Sequence, residues 1–367
     1  DGIYYQPAET WDDLNYDGII DSGEYVDLNN NNQYDETETI VGQSHHYETT
    51  ALAGFISNKT DFSFLSISTG LRFELFEQAR IDLLDGASYL DNSTFVLLPS
   101  IGFIKEFTSF NLFGGIHKGY TAPSSGALKV SNFALDTGLD LKAETSWNKE
   151  VGVRTQNLLS FLSLEFSLFH LDIKNLVAAG RGTAFKNLGK IRNSGIEVNG
   201  KIKLSYFQRY IPNLNISYTY LSTKILEGKI ASNIKAGGAI ADLEGNELPY
   251  APKNNLNIGI ESTNSKKLSF RIDMRYVSQV FTDFENITKT ANKGIKGPIP
   301  AYQIYNLSSR YNINSKCSIF FSGKNITDEI YIGSRLHSNP GLEDANVSSG
   351  IIPGPRRQLN CGLEYKF

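Results

Sequence analysis

Cysteine is nearly absent from this 367-residue chain: Cys317 and Cys361 are the only two, too few for a disulfide framework. Methionine occurs once and tryptophan twice. No apolar run approaches the roughly eighteen residues that a membrane-crossing helix needs. The chain opens at Asp1 with no initiator methionine and no basic–apolar leader, so a fragment or a processed product is expected. A surplus of positive charge is missing as well. The net charge of −4 and pI near 5.8 argue against nucleic acid as a partner. With five histidines, no nucleophile motif and no phosphate-binding glycine loop, an enzyme is not expected. His45 and His46 are adjacent, but consecutive side chains in an extended segment point apart, which works against a shared transition metal.

What is abundant is aromatic and alternating. Phenylalanine (22) and tyrosine (19) dominate, and helical periodicity is scarce. The last residues set Leu359, Cys361, Leu363, Tyr365 and Phe367 against Asn360, Gly362, Glu364 and Lys366. Residues 65–74 set Leu65, Ile67, Leu71 and Phe73 against Ser66, Ser68, Arg72 and Glu74. Leu268, Phe270, Ile272, Met274 and Tyr276 likewise oppose Ser269, Arg271, Asp273 and Arg275. Thirteen strands are expected, near 49–58, 62–77, 94–107, 109–120, 144–155, 161–173, 191–204, 213–224, 254–262, 266–278, 301–311, 315–323 and 357–367. Nothing between them resembles a linker, so one large β-unit is the default.

Connection lengths alternate. Tight turns fall near 59–61, 108, 157–160, 205–212, 263–265 and 312–314, with long connections at 78–93, 121–143, 174–190, 225–253, 279–300 and 324–356. Short turns at one end and long loops at the other mark a transmembrane barrel, whose strands are apolar toward lipid and polar toward the lumen. The mean hydropathy of −0.26 does not oppose this, because every second residue is polar. The expected fold class is therefore all-β, a transmembrane antiparallel β-barrel. Arg72, Glu74, Glu197, Lys201, Arg271, Asp273 and Arg275 should line a hydrated interior, with Arg271 and Arg275 paired to acids there. Lys149 falls among the lipid-facing Trp147, Val151 and Val153. A lysine there costs about 2–4 kcal/mol at the bilayer midplane but about 0–1 near the interface, where it can snorkel outward. Cys317 and Cys361 read as small lipid-facing or buried side chains, with a cross-strand disulfide as the alternative.

The amino end differs. Asp13, Asn15, Asp17, Ile19, Asp21 and Glu24 stand at positions 1, 3, 5, 7, 9 and 12 of a calcium loop, with Gly18 at the sharp turn. Fourteen residues on, Asp27, Asn29, Asn31, Gln33, Asp35 and Glu38 repeat the frame, Asn32 replacing the glycine. Ile19 and Gln33 would ligate through their carbonyls. Only Tyr25 and Val26 separate the loops, which leaves no room for flanking helices. The expected role is a structural Ca²⁺ staple within one long extracellular loop over residues 1–48, ahead of the barrel strands of 49–367.

At Gly119-Tyr120-Thr121-Ala122-Pro123-Ser124 and at 141–154, from Leu141-Lys142-Ala143-Glu144 to Val151-Gly152-Val153-Arg154, the chain resembles TonB-dependent outer-membrane receptors. Asp172-Ile173-Lys174-Asn175-Leu176, Gly195-Ile196-Glu197, Leu248-Pro249-Tyr250-Ala251-Pro252 and Asn325-Ile326-Thr327-Asp328-Glu329-Ile330-Tyr331 follow in order. Gly297-Pro298-Ile299-Pro300-Ala301-Tyr302 and the run 351–358, from Ile351 to Gln358, are similar to the ferric dicitrate receptor branch. The acidic 13–38 stretch is not part of that pattern. The resemblance implies a 22-stranded barrel, of which these strands would be roughly the last thirteen, with a plug and a TonB box in an amino-terminal region not found here. It further implies uptake of a ferric chelate across the outer membrane of a Gram-negative cell, energised by TonB–ExbB–ExbD. Outer-membrane lipid would surround the wall. An anionic ferric citrate would meet cationic donors, and Arg181, Arg335 and Arg356, with His337 and Asn339, are the loop candidates. The competing reading is a passive porin-like channel, or a surface adhesin that contacts its partner through the calcium loops.

Overall fold

The computed structural model describes residues 2–7, 37–43, 45–83, 88–122, 142–155, 160–178, 186–232, 240–262, 265, 267–290, 294, 296–335 and 350–367. Its thirteen successive wall strands are β1 (His45–Phe62), β2 (Leu65–Asp82), β3 (Ser88–Glu106), β4 (Phe110–Thr121), β5 (Glu144–Thr155), β6 (Leu162–Lys174), β7 (Gly189–Ile202), β8 (Asn213–Ala231), β9 (Asn254–Ser262), β10 (Leu268–Val277), β11 (Tyr302–Asn312), β12 (Cys317–Lys324) and β13 (Gln358–Tyr365). Each lies beside its sequence neighbours in one sheet, and Ile240–Asp242 adds a fourteenth strand off β8. The pairs from β3 to β13 are antiparallel. No described helix is long and apolar enough to cross a membrane, which says nothing of strands.

Contacts divide the chain into two compact units. One spans Asp1–Leu52, Glu74–Phe95 and Leu135–Asp140, and it contains the antiparallel pair Gly2–Pro7 with Thr37–Gln43. The other spans Ala53–Phe73, Val96–Ala134 and Leu141–Phe367.

Register fixes the faces in this second unit. Leu168 stands opposite Val151 and Ile196, and Phe166 opposite Val153 and Val198. Among the described residues no other layer covers that face: Leu359, Leu363 and Tyr365 are 58%, 66% and 51% exposed. Such a surface is tolerable only where hydrocarbon covers it. The opposite face carries crossed ion pairs. Lys201 Nζ lies 2.6 Å and Arg271 3.2 Å from the Glu261 carboxylate, and Arg271 lies 2.7 Å from Asp273. Arg154 pairs with Glu165, and Arg310 with Glu364.

Short connections gather at one end, among them 63–64, 107–109, 203–212 and 313–316. One long connection is shorter than expected. β2 and β3 run on to Asp82 and back to Ser88, through most of the 78–93 stretch read as loop. Backbone pairing does not need the period-two pattern, so a strand can run on beyond the residues whose alternation marks it. Cys317 and Cys361 are free thiols on the outer face. They oppose Tyr365 and Phe321, so they sit four register positions apart, on the order of 13 Å. A disulfide needs Cα atoms within about 7 Å, so the cross-strand alternative is excluded. His45 and His46 are consecutive strand residues of β1, as the extended reading required.

Candidate functional site

At the end bearing the long connections, chain segments fold back over the polar face of the sheet. Ile240–Asp242 pairs with Lys229–Ala231 at the tip of β8. A turn through Gly245, at φ +89°, returns the chain so that Ile225 N–H donates to the Asn246 carbonyl at 2.8 Å. This closes an apolar cluster of Leu188, Ile191, Ile225, Ile230 and Leu243, each at most 3% exposed. Ile173, Leu176, Leu248 and Phe284 pack against it. The alternation predicts a hydrated interior lined by charged residues; at this end burial under a connection replaces water.

Three connections are then tied together. Asn286 Oδ1 accepts from Glu247 N–H at 2.7 Å, and its Nδ2 donates to the Glu247 carbonyl at 2.9 Å. Leu248 N–H donates to Thr223 Oγ1, and Tyr250 N–H to the Phe281 carbonyl. The Tyr250 hydroxyl donates to the Arg335 carbonyl at 3.2 Å, which reaches the hairpin Ile332–Arg335 with Ile351–Pro353. Arg335, expected as a ligand donor on an exposed loop, is 3% exposed. Its guanidinium donates to the carbonyls of Gly294 and Pro298. Desolvation lowers its pKa from the ordinary arginine value. In this arrangement it braces two connections.

Arg356 is half exposed and grips Asp328 with both ends of its fork, at 2.9 and 2.6 Å. Arg357 N–H donates to the same carboxylate at 2.9 Å. These bonds hold the Asp328 carboxyl far below its ordinary range, and raise the Arg356 pKa in return. Beside them Asn325 is buried at φ 48°, a conformation asparagine enters more readily than most residues. Its side chain donates to the Glu329 and Pro355 carbonyls and accepts from Glu329 N–H. Tyr302 and Tyr331 stack at 4.4 Å, and a Cβ on Gly354 would lie 2.2 Å from the Tyr331 ring. Burial raises the Tyr331 phenol pKa. Many residues that carry the family resemblance are thus braces of the long connections.

On the inner wall, Arg271 is paired as expected, but Arg275 is not. It is exposed and makes no ion pair among the described residues. Its sequence context, Asp273-Met274-Arg275, is the same as that of a paired arginine, so no sequence signal separates the two. Toward the short-turn end, a polar groove of about 640 Å³ is lined by Arg154, Glu165, Lys201, Asn215, Arg271 and Asp273. Arg181, His337 and Asn339 lie outside the described residues, as do Asp13, Asn15, Asp17, Ile19, Asp21, Glu24, Asp27, Asn29, Asn31, Gln33 and Asp35. Glu38 falls in the strand Thr37–Gln43, its backbone paired with Gln6.

An antiparallel meander that is apolar outside, charged within and looped at one end defines an outer-membrane β-barrel wall. Residues 3–326 match the family model described as TonB dependent receptor-like, beta-barrel, and the chain belongs to that family. It is 24% identical over 241 residues to the probable TonB-dependent siderophore receptor PiuA of Acinetobacter baumannii, covering 65% of this chain and 29% of that one. Its fold matches the unliganded ferric citrate transporter FecA at a TM-score of 0.70 with 21% identity, over 94% of this chain and 48% of that one. The structure of PiuA from Acinetobacter baumannii gives 0.70 at 16% identity, over 95% and 48%. The chain therefore spans about half the length of these solved structures and less than a third of the curated relative.

Proposed function

We propose that the whole protein imports an anionic ferric chelate, ferric dicitrate or a similar siderophore, with energy from TonB–ExbB–ExbD. The observation that supports this reading is Arg275, exposed on the polar inner face and making no ion pair among the described residues, in a chain of this family whose long connections are braced. A citrate-type ligand offers carboxylates, and guanidinium forks match them bidentately. Arg275 is an inner-wall donor that makes no ion pair among the described residues, and Arg181, His337 and Asn339 are the loop donors proposed to complete the site. Arg335 and Arg356 would serve it through their backbone and carboxylate braces, by holding the connections that present those donors. The acidic loops at 13–24 and 27–38 are proposed to take Ca²⁺ as a structural ion.

Calorimetric titration of the full-length receptor tests this. Ferric dicitrate should bind, and Arg275→Ala should weaken it about tenfold or more, the loss of a charge-assisted hydrogen bond. Tight binding of haem or vitamin B12 with indifference to ferric citrate would reject the substrate class. For the acidic loops, terbium luminescence should rise on binding and be quenched by Ca²⁺, and Asp17→Ala with Asp21→Ala should abolish it.

A further inference from the structure

The outer, lipid-side face has a feature that chelate uptake does not use. Pairing sets Lys118, Trp147, Asp172, Arg192 and Lys224 in one row across β4 to β8, at the long-connection end. The next row toward the short turns is Ile116, Lys149, His170, Ser194 and Ser222. Beyond it the face is apolar, through Val151, Leu168 and Ile196. Arg192 Nε lies 2.8 Å, His170 Nε2 3.1 Å and Lys149 Nζ 3.9 Å from the Asp172 carboxylate, and His170 Nδ1 is 2.8 Å from Ser194 Oγ. Among the described residues of these rows and the next, six lysines and arginines (Lys118, Lys149, Lys174, Lys190, Arg192 and Lys224) meet two carboxylates, Asp172 and the Glu227 that pairs with Lys190.

Directly below, the same face is hollowed. A depression of about 600 Å³ is lined by Leu65, Ile67, Ile101, Phe103, Val151 and Leu168, and Lys149 and His170 form its upper rim. Gly114, between Leu112 and Ile116, contributes no side chain there, and the Phe103 ring lies across it. A charge on the lipid face costs about 2–4 kcal/mol at the midplane and almost nothing at the interface, so the cationic rows belong at headgroup level. Trp147, 41% exposed beside them, suits the same level. Ordinary solvation would be met by mixed charge. An excess of one sign above an apolar cleft calls for an amphiphile of the opposite sign.

We propose that this face seats one phosphate-bearing lipid of the outer leaflet. Its phosphate lies on Lys149 and Arg192, with Lys118 and Lys224 alongside, and an acyl chain fills the depression. Asp172 holds Arg192, His170 and Lys149 in register for the headgroup.

Native mass spectrometry of the full-length receptor, titrated with lipid A bisphosphate and with phosphatidylcholine, tests the proposal. One lipid A should bind with marked preference over phosphatidylcholine. Lys149→Gln with Arg192→Gln should weaken it roughly twentyfold, at about fivefold per charge. Leu168→Trp, which fills the depression and leaves the charges, should weaken lipid A as well. Heat-modifiable migration in gels confirms that each variant folds; should the double variant fail, Lys149→Gln alone and Leu168→Trp carry the test. Ferric dicitrate binding should be unchanged, since these residues face away from the lumen. Equal lipid A binding by the variants, equal binding of phosphatidylcholine, displacement by millimolar inorganic phosphate, or a receptor dimer lost in the variants would each overturn it.

Discussion

Asp328 and Arg335 hold the long connections in physically different ways. Asp328 is gripped at the surface by Arg356 and by the Arg357 amide, and its pKa is depressed. A depressed carboxyl stabilises the fold at every pH above its unfolded value, about 3.9, and that stability is lost as pH falls through the lower folded value. Amide exchange at Arg357, corrected for intrinsic rate, should therefore stay slow from pH 7 to pH 4. In Asp328→Asn it should be fast across that whole range. Arg335 is the opposite case, a buried cation that touches no carboxylate among the described residues. Its worth lies in the Gly294 and Pro298 carbonyls that it satisfies. Arg335→Met should destabilise the connections by roughly 2–4 kcal/mol, the cost of orphaning two buried acceptors bound to a charged donor. Faster proteolysis between 279 and 300 would report it; an unchanged cleavage rate would refute the bracing role.

Among the elements, strand pairing depends on close approaches that only glycine allows. A Cβ on Gly195 would stand 2.2 Å from the Tyr220 carbonyl and 2.4 Å from the Phe169 ring. At Gly152 it would stand 2.4 Å from the Phe113 ring and 2.7 Å from the Phe166 carbonyl. In both cases an aromatic ring from the neighbouring strand lies across the bare backbone. Gly195→Val meets a backbone atom that cannot swing aside, so it should cost more than the roughly 1–3 kcal/mol of ordinary overpacking. The expected result is a lower yield of the folded, heat-modifiable form. Gly200→Ala on the same strand meets nothing closer than 3.7 Å and should behave as wild type. The ion pairs of β7, β9 and β10 promise less than their number suggests. Lys201 and Arg271 are nearly half exposed in a hydrated lumen, so Glu261→Gln should cost only about 1 kcal/mol in thermal unfolding.

For the whole molecule, the decisive question is which face meets lipid. The two native thiols are ready probes, because Cys317 and Cys361 both lie on the apolar face. In native membranes, neither should react with a charged maleimide until detergent or denaturant exposes it. Ser217→Cys, on the polar face opposite Asn199 and Asn257, should react at once. The reverse result would turn the wall inside out.

The thirteen strands and their faces were legible in the amino-acid sequence because alternation is a local signal, set by lipid on one side and water on the other. The same signal faded within 78–93, where β2 and β3 nevertheless run on to Asp82 and from Ser88. Lys149 was placed correctly on the apolar face, but its partner Asp172 was not foreseen, since it lies across a strand boundary. The fate of each arginine was likewise hidden. Arg271 and Arg275 share a strand and a face, yet among the described residues only Arg271 makes ion pairs, and Arg335 lies under carbonyls contributed by another connection.

Sequence alone determined the class of wall, its strand count and the side that each strand turns to hydrocarbon, since these need nothing beyond the period of the residues. Only the tertiary structure decided which charges are committed, how the long connections lock and where cations crown an apolar hollow. Those outcomes depend on register between strands distant in the chain, which fixes what stands opposite what.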